Sequence, residues 1–227
     1  MEHSAHEALV RSVVIVGAGP AGLALARLLQ MRAVEVTIFE RDESPASRPQ
    51  GGSLDLRPDS GRRAITAARL NDDFVRLSRE DAKQFTLVSS TGAVIPGAGE
   101  DTHEDAGPEI DRGDLRAMLL EAVTPGTVQW GRTVTEVAAA DDGRWQVRCA
   151  DGTTMTADLV VGADGIGSRV RSRLTSTTPV YVGRTMLAAN LRRELWRDSE
   201  VAELLGRDRS CSPAARRRSL SSAAPMT

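Results

Sequence analysis

The amino-terminal region of the chain alternates between apolar runs and a glycine-rich turn. Four apolar residues that favour β-structure, at positions 13–16, lead directly into a turn that carries three glycines. Residues 23–31 have the apolar spacing of a helix, and residues 34–39 form a second apolar run that ends at Glu40. A strand, a tight turn, a helix and a second strand within about 30 residues predict a βαβ unit with a parallel sheet.

The glycines of this turn have the spacing Gly17-x-Gly19-x-x-Gly22, which is the fingerprint of a dinucleotide-binding loop. The pattern predicts a sharp turn at Gly17, an open approach for a pyrophosphate at Gly19 and close packing of the helix at Gly22. The helix amino terminus presents free N–H groups and the positive end of its dipole to phosphates. A carboxylate at Glu40 can accept both hydroxyls of an adenosine ribose. A buried strand and a glycine turn without a ligand is the alternative.

The rest of the chain predicts further short helices and strands. We expect one helix that begins at Asp59 or Ser60 and ends at Leu70, and further helices over 71–77, 115–123 and 194–205. We expect strands over 84–89, 93–95, 128–130, 134–137, 145–149, 153–156 and 159–161, and a further strand region over 180–191. Asp142-Gly143 and Asp151-Gly152 are hairpin turns, so the strands between 128 and 156 form a β-meander. Alternating strands and helices place the chain in the α/β class.

Composition and charge restrict the possible partners. The 227 residues suffice for one large domain or two small ones, and a net charge of −2 gives no general attraction to nucleic acid or anionic membranes. The first apolar stretch is interrupted by glycines and is too broken for a membrane span. Cys149 and Cys211 form no metal-ligand set and fit a reduced compartment. We therefore expect a cytoplasmic monomer that binds no nucleic acid, membrane or metal.

Several stretches together resemble one protein family. They are VVIVGAGPAGLALARLL, IFERD, GGSLDL, PEIDRGDLRAMLL and DLVVGADGIGSRVR, in this order. The combination resembles the single-component flavin-dependent monooxygenases with the aromatic-hydroxylase fold. Within that group GGSLDL and PEIDRGDLR are similar above all to the tetracycline-inactivating flavin monooxygenases. The resemblance covers about residues 12 to 191.

The resemblance implies the residues that bind the cofactors FAD and NAD(P)H. The residues that it assigns are Gly17, Gly19, Gly22, Glu40, Arg41, Arg48, Asp55, Arg112 and Asp164. In the family the glycines cradle the FAD pyrophosphate and the glutamate holds the ribose. Arg48 matches an arginine near the nicotinamide nucleotide, and Asp55 and Arg112 match FAD contacts. Asp164 matches an aspartate linked to both nucleotides.

Each of the polar assignments has an alternative. Arg41 is able to form a surface ion pair with Asp42 or Glu43. Asp55 is also a typical turn residue, and Asp164 a typical hairpin or capping residue. The alternative for Arg112 is a first-turn helix residue without a ligand, although the helix dipole disfavours an arginine there.

The resemblance also implies the chemistry. NAD(P)H reduces FAD, reduced flavin and O2 form a C4a-hydroperoxide, and one oxygen passes to a small organic substrate that is aromatic, polyketide-like or of the tetracycline type. No nucleophile triad or metal is required. The alternatives are a truncated, non-catalytic remnant that keeps partial FAD binding, and another FAD-dependent oxidoreductase on the same scaffold.

The domain organisation follows from the same resemblance. We expect a Rossmann-like FAD-binding domain with an inserted β-meander over 1–177, whose residues 83–108 reach into the substrate-domain sheet. Residues 178–208 are expected to begin an α+β substrate domain that is incomplete. Residues 209–227 contain no acidic residue and few large apolar ones, so we expect a disordered tail. The family's Gly-Asp-Ala-Ala-His type motif does not occur, which leads us to expect a chain truncated at its carboxyl end.

Overall fold

The fold is taken from a computed structural model, which describes residues 10–79, 89, 93, 107–183 and 185. In chain order the elements are β1 (Ser12–Val16), α1 (Pro20–Gln30), β2 (Glu35–Phe39), β3 (Ser53–Asp55), α2 (Gly61–Ala67), α3 (Asn71–Leu77), β4 (Glu109–Asp111), α4 (Arg112–Glu121), β5 (Val128–Gln129), β6 (Val134–Ala139), β7 (Trp145–Cys149), β8 (Thr154–Ala157), β9 (Leu159–Gly162) and α5 (Arg171–Leu174).

A parallel four-stranded sheet forms the centre of the fold. Its strand order is β5-β2-β1-β9, and β1 pairs with both β2 and β9 in parallel register. Side chains on β1 alternate between the two faces of the sheet, as the strand period requires. Val13 and Ile15 pack with the helices on one face, whereas Val14 and Val16 pack with the meander on the other. The predicted βαβ unit is therefore confirmed.

The helix of this unit begins earlier than its apolar pattern indicated. Helix α1 starts at Pro20, three residues before the first apolar residue that marked the predicted helix. Proline suits this position because its fixed φ matches that of a helix. Its missing N–H costs no hydrogen bond, since N–H groups in the first turn have no acceptor within the helix. The earlier start places the helix amino terminus inside the glycine turn.

One predicted strand belongs to a different sheet. We expected residues 128–130 in the meander, but Val128–Gln129 pairs in parallel with Ile38 and Phe39 at the edge of the central sheet. The pairing is fixed by a hydrogen bond from the Ile38 N–H to the Thr127 carbonyl, at 2.8 Å. The antiparallel meander consists of β6, β7 and β8, with tight turns at Gly143 and Gly152, which both have positive φ.

A small antiparallel pair, β3 with β4, was not predicted. Ser53 pairs with Asp111, and Asp55 pairs with Glu109. The two strands lie more than fifty residues apart in sequence, so no local turn motif predicts their pairing. The pair sets the amino terminus of α4 beside Gly52, whose carbonyl accepts the Arg112 N–H at 3.1 Å.

Several expectations fall on residues outside those described. They are most of the strands at 84–89 and 93–95, the helix at 194–205, Cys211, and the carboxyl-terminal tail. Residues 180–182, at the start of the predicted strand region, form neither helix nor strand. Within the described residues, no helix has the length and apolar character needed to cross a bilayer.

Candidate functional site: a nucleotide cradle

The turn at Gly17 requires glycine for two independent reasons. Its φ is +106°, a conformation that residues with a side chain rarely adopt. A Cβ at this position would also lie 2.4 Å from the Ala163 carbonyl oxygen. The Gly17 N–H donates to the Phe39 carbonyl at 2.8 Å, and the Ala163 N–H donates to the Val16 carbonyl at 2.8 Å. The turn is thus held between the ends of β2 and β9.

The two following glycines have contrasting surroundings. A Cβ at Gly22 would lie 2.1 Å from the Gly17 carbonyl oxygen, so this glycine permits α1 to approach the turn. A Cβ at Gly19 would meet nothing within 4 Å. Packing therefore explains Gly22 but not Gly19. Open space beside a helix amino terminus is the arrangement that a bound pyrophosphate requires.

Glu40 is buried, with 6% of its surface exposed, and it is tied to the glycine turn. One carboxylate oxygen accepts the Ala18 N–H at 2.6 Å, and the other accepts the Asp42 N–H at 3.0 Å. Each oxygen retains a further acceptor position for a ribose hydroxyl. The backbone bonds also compensate the burial of the charge. We call Gly17, Gly19, Gly22 and Glu40 the glycine-loop end of the site.

The two arginines after Glu40 differ in their contacts. The Arg48 Nε donates to both oxygens of Asp42, at 3.1 and 3.2 Å, and its side chain is 51% exposed. Arg41 is exposed and makes no side-chain hydrogen bond or ion pair within the described residues. The structure has neither of the alternative ion pairs, from Arg41 to Asp42 or from Arg41 to Glu43, and Arg48 and a second arginine lie at the Asp42 carboxylate instead.

That second arginine, Arg116, is a site residue that the sequence did not indicate. It lies on α4 with 4% of its surface exposed. Its Nε donates to the Ala18 carbonyl at 2.9 Å, and a terminal nitrogen lies 3.5 Å from the Asp42 carboxylate. The only signal in the sequence is its position among the apolar residues of the helix, next to Leu115. Only the fold shows that it reaches a loop 98 residues earlier in the chain.

Asp55 and Arg112 lie at the two ends of the β3–β4 pair, since Asp55 pairs with Glu109 and the Arg112 N–H donates to the Gly52 carbonyl, and we call these two residues the exposed end of the site. The Asp55 carboxylate accepts the Gly107 N–H at 2.7 Å and lies 3.6 Å from Arg57 Nε. The exposed Arg112 side chain passes over Gly52, and within the described residues it makes no hydrogen bond or ion pair. Arg112 and Arg116 are four residues apart on one helix face, so α4 connects the two ends.

Asp164 lies beside the glycine turn. One carboxylate oxygen accepts the Arg169 N–H at 2.7 Å, which is the capping role that the sequence left open. The other oxygen is shielded from solvent and has no hydrogen-bond partner within the described residues. A Cβ at Gly17 would lie 3.1 Å from the Asp164 Cα. The two predicted dinucleotide motifs therefore meet, although about 140 residues separate them.

A shallow cleft elsewhere does not compete with this site. It has a volume of about 400 Å³ and lies among Ser12, Glu35, Thr37 and Asp158, at the amino ends of the parallel strands. Ligands of open parallel sheets bind at the carboxyl ends of the strands. The glycine turn occupies that edge, because it follows β1 directly.

The chain's own residues fit FAD. No described atom lies within 4 Å of a Cβ at Gly19, which leaves room on the side where a pyrophosphate would bind, the Glu40 carboxylate suits a ribose, and one Asp164 oxygen has no hydrogen-bond partner within the described residues. Within the described residues no group of acidic, histidine or cysteine side chains is arranged to hold a metal ion. The geometry is that of a dinucleotide site.

Comparison with known proteins agrees with this geometry. A family model described as FAD binding domain matches residues 11–212. Monooxygenase penA of Penicillium thymicola is 33% identical over 207 residues, which cover 86% of this chain and 47% of the relative. The 3-amino-4-hydroxybenzoate 2-monooxygenase PtmB3 of Streptomyces platensis is 31% identical over 182 residues, which cover 77% and 44%. The crystal structure of tetracycline destructase Tet(55) has a TM-score of 0.58 and 25% identity, over 74% of this chain and 42% of that chain.

These matches confirm the resemblance and the fold class that the sequence indicated. The chain spans about half the length of the curated relatives it matches. The match nevertheless includes every described element from β1 to α5. The chain therefore belongs to the family of FAD-dependent monooxygenases that share this FAD binding domain.

Proposed function

We propose that the chain binds FAD and supplies the nucleotide-binding part of an NAD(P)H-consuming monooxygenase that acts on a small organic substrate. The observation that carries the proposal is the open space at Gly19, which caps the amino terminus of α1 and follows Ala18, whose N–H donates to the buried Glu40 carboxylate. A Cβ at that position would meet no atom of the described residues within 4 Å, so their packing does not require glycine there. A pyrophosphate bound there gives a reason for it.

Each candidate residue has a distinct task in this proposal. The N–H groups at the start of α1 bind the pyrophosphate, and Glu40 accepts the ribose hydroxyls with the lone pairs that the backbone leaves free. Arg112 offers to the remainder of FAD a guanidinium that has no partner within the described residues, and Asp55 offers a carboxylate at the other end of the β3–β4 pair. Asp164 contributes its unpartnered oxygen. Arg41 and Arg48 are available to phosphates of NAD(P)H, since an arginine fork suits a phosphate.

FAD, when bound, supplies the redox and oxygen-transfer chemistry with NAD(P)H and O2. The protein's own contribution is to hold the nucleotide and to exclude water from the reacting end. We assign FAD binding to residues 1–177, with 83–108 reaching toward substrate, and the start of a substrate domain to 178–208. We further propose a cytoplasmic monomer. Residues 209–227 have no task in this proposal.

An aromatic or polyketide-like substrate is the proposed class. The support is the name of the Streptomyces platensis relative, which acts on an amino-hydroxybenzoate, and that of the tetracycline destructase. Neither name identifies the substrate of this chain. We therefore propose the chemical class alone.

The visible absorption spectrum of the purified full chain tests FAD binding directly. We expect flavin absorption bands that correspond to about one FAD per chain, either in the protein as purified or after FAD is added and the excess is removed. Oxidation of NADPH in air by the flavin-loaded protein would extend the result from binding to turnover. A protein that stays colourless with added FAD contradicts the proposal. Bound flavin without NADPH oxidation restricts it to a nucleotide-binding module.

A further inference from the structure

A buried arginine joins α4 to the glycine turn. Arg116 donates from Nε to the Ala18 carbonyl at 2.9 Å and from a terminal nitrogen to the Pro45 carbonyl at 3.3 Å. Its other terminal nitrogen lies 3.5 Å from the Asp42 carboxylate, and the guanidinium carbon lies 5.3 Å from the Trp130 ring centroid. One side chain thus contacts the glycine turn, the segment after β2 and the residue after β5.

The contact with Ala18 determines where the next amide points. A trans peptide unit is planar, so its C=O and N–H groups point in opposite directions. All peptide bonds in the described chain are trans. Because Arg116 holds the Ala18 carbonyl, the N–H of Gly19, which belongs to the same peptide unit, must point away from α4. That N–H makes no hydrogen bond within the described residues.

The opposite side of Ala18 is fixed as well. Its own N–H donates to the Glu40 carboxylate at 2.6 Å. The Asp42 residue that pairs with Arg116 also donates its backbone N–H to Glu40, at 3.0 Å. Arg116 therefore connects, through Ala18 and Asp42, the donors for a pyrophosphate with the acceptor for a ribose.

Stability alone is a weak explanation for a charge in this position. Removing a guanidinium from water is costly, and replacing a buried ion pair by apolar side chains is often neutral or stabilising. The neighbouring inward positions of α4, Leu115 and Leu119, are apolar. An apolar residue at 116 would fill space but would leave the Ala18 carbonyl without its donor.

We propose that Arg116 is a positioning residue that orients the Ala18–Gly19 peptide, so that the Gly19 N–H faces the FAD pyrophosphate. This inference rests on the proposed FAD binding. Arg116 acts through the backbone of the turn. The nitrogens of its own guanidinium already contact the Ala18 carbonyl, the Pro45 carbonyl and the Asp42 carboxylate.

The test compares Arg116→Met and Arg116→Lys with Leu119→Ala, a buried substitution on the same helix. We expect Arg116→Met to weaken binding of FAD and of ADP about tenfold or more, and Arg116→Lys to weaken it about threefold. A lysine keeps the charge but lacks the planar fork that bonds several acceptors at once. Leu119→Ala should lower the melting temperature and change both dissociation constants less than about twofold, at a temperature at which all variants are folded.

The amide resonance of Gly19 in the nucleotide-free protein provides a readout independent of binding. We expect its ¹H–¹⁵N shift to move in both Arg116 variants and to stay in place in Leu119→Ala. Should Arg116→Met fail to fold, the lysine variant still decides the question. Equal losses of FAD affinity in Arg116→Met and Leu119→Ala, or a Gly19 resonance that does not move in either Arg116 variant, overturn the inference. A wild-type chain that binds neither FAD nor ADP contradicts the proposed function, whereas the Gly19 resonance still tests the role of Arg116.

Discussion

The glycine-loop end and the exposed end of the site are built in different ways. At the glycine-loop end, Gly17 and Gly22 are crowded by backbone atoms, and both oxygens of Glu40 accept backbone N–H groups. At the exposed end, the Arg112 side chain lies in solvent without a partner in the described chain, and the Asp55 carboxylate accepts one backbone N–H and lies near the exposed Arg57. The first end is part of the folded core, whereas the second is attached to its surface.

The difference indicates what each end contributes. Residues that take part in the packing of the core affect folding and binding together, since the same contacts serve both. Residues at an exposed end affect binding alone. We therefore expect substitutions at the glycine-loop end to lower both stability and FAD affinity, and substitutions at the exposed end to lower FAD affinity alone.

The largest effect is expected from Gly17→Ala. The substitution forces a side chain into a φ of +106° and places its Cβ 2.4 Å from the Ala163 carbonyl oxygen. Strain and displacement of the turn together should lower the free energy of unfolding by about 3 kcal/mol or more. FAD binding should be lost as well. Denaturant titration and FAD titration of the same preparation measure the two effects.

Gly143→Ala is the matched control for that variant. Gly143 also has a positive φ, +81°, but a Cβ there meets nothing within 4 Å, and it lies in a hairpin of the meander. We expect a loss of about 1 kcal/mol from backbone strain alone, with FAD affinity unchanged. Equal losses of stability and of affinity in the two variants would contradict the account of the turn.

The next largest effect is expected from Glu40→Gln. The amide keeps one acceptor oxygen for the turn but loses the charge and the second acceptor, so FAD affinity should fall about tenfold. Glu43→Gln makes the same chemical change three residues later, at an exposed side chain, and should leave affinity unchanged. Calorimetric FAD titrations decide this. If the two variants bind FAD equally well, Glu40 does not hold the ribose.

A smaller and more selective effect is expected from Arg112→Ala. Because this side chain has no partner within the described residues, the free energy of unfolding should change by less than about 0.5 kcal/mol. FAD affinity should fall about fivefold through loss of the free guanidinium. Arg63→Ala removes another exposed arginine, on α2, and should change neither quantity. An Arg112 variant that loses stability and keeps its FAD affinity would show that Arg112 serves the fold and does not bind FAD.

The smallest effect is expected at Asp158, which lies at the amino end of β9, whereas the glycine turn lies at the carboxyl end of β1. Backbone N–H groups of Arg11 and Ser12 donate to its carboxylate and hold the pKa of Asp158 below its usual value. A lowered pKa stabilises the fold above the unfolded-state pKa of about 3.9, and this contribution is lost as pH falls through the folded-state pKa. Asp158→Asn should therefore make the loss of stability below about pH 4 less steep, without changing FAD affinity. Acid unfolding curves with equal slopes would refute this.

The spacing of the residues predicted only the part of the site that neighbouring residues build, whereas Asp55, Arg112 and Asp164 were indicated by the family resemblance alone. Gly17, Gly22 and Glu40 belong to one strand–turn–helix–strand segment, so their spacing alone determines their geometry. Arg116 was missed because a single arginine on an amphipathic helix has no local signal. Its partner Ala18 is 98 residues away. The β3–β4 pair was missed for the same reason, and Val128–Gln129 was assigned to the wrong sheet because a two-residue strand shows no period.

A calorimetric comparison of FAD, ADP and riboflavin as ligands of the full chain tests most directly whether the glycine-loop end supplies most of the binding energy. If the glycine-loop end supplies most of the binding energy, ADP should bind within about tenfold of FAD, and riboflavin should bind far more weakly than either. Riboflavin that binds as tightly as FAD, together with ADP that does not bind, would show the opposite, because binding would then depend on a part of the chain other than the glycine-loop end.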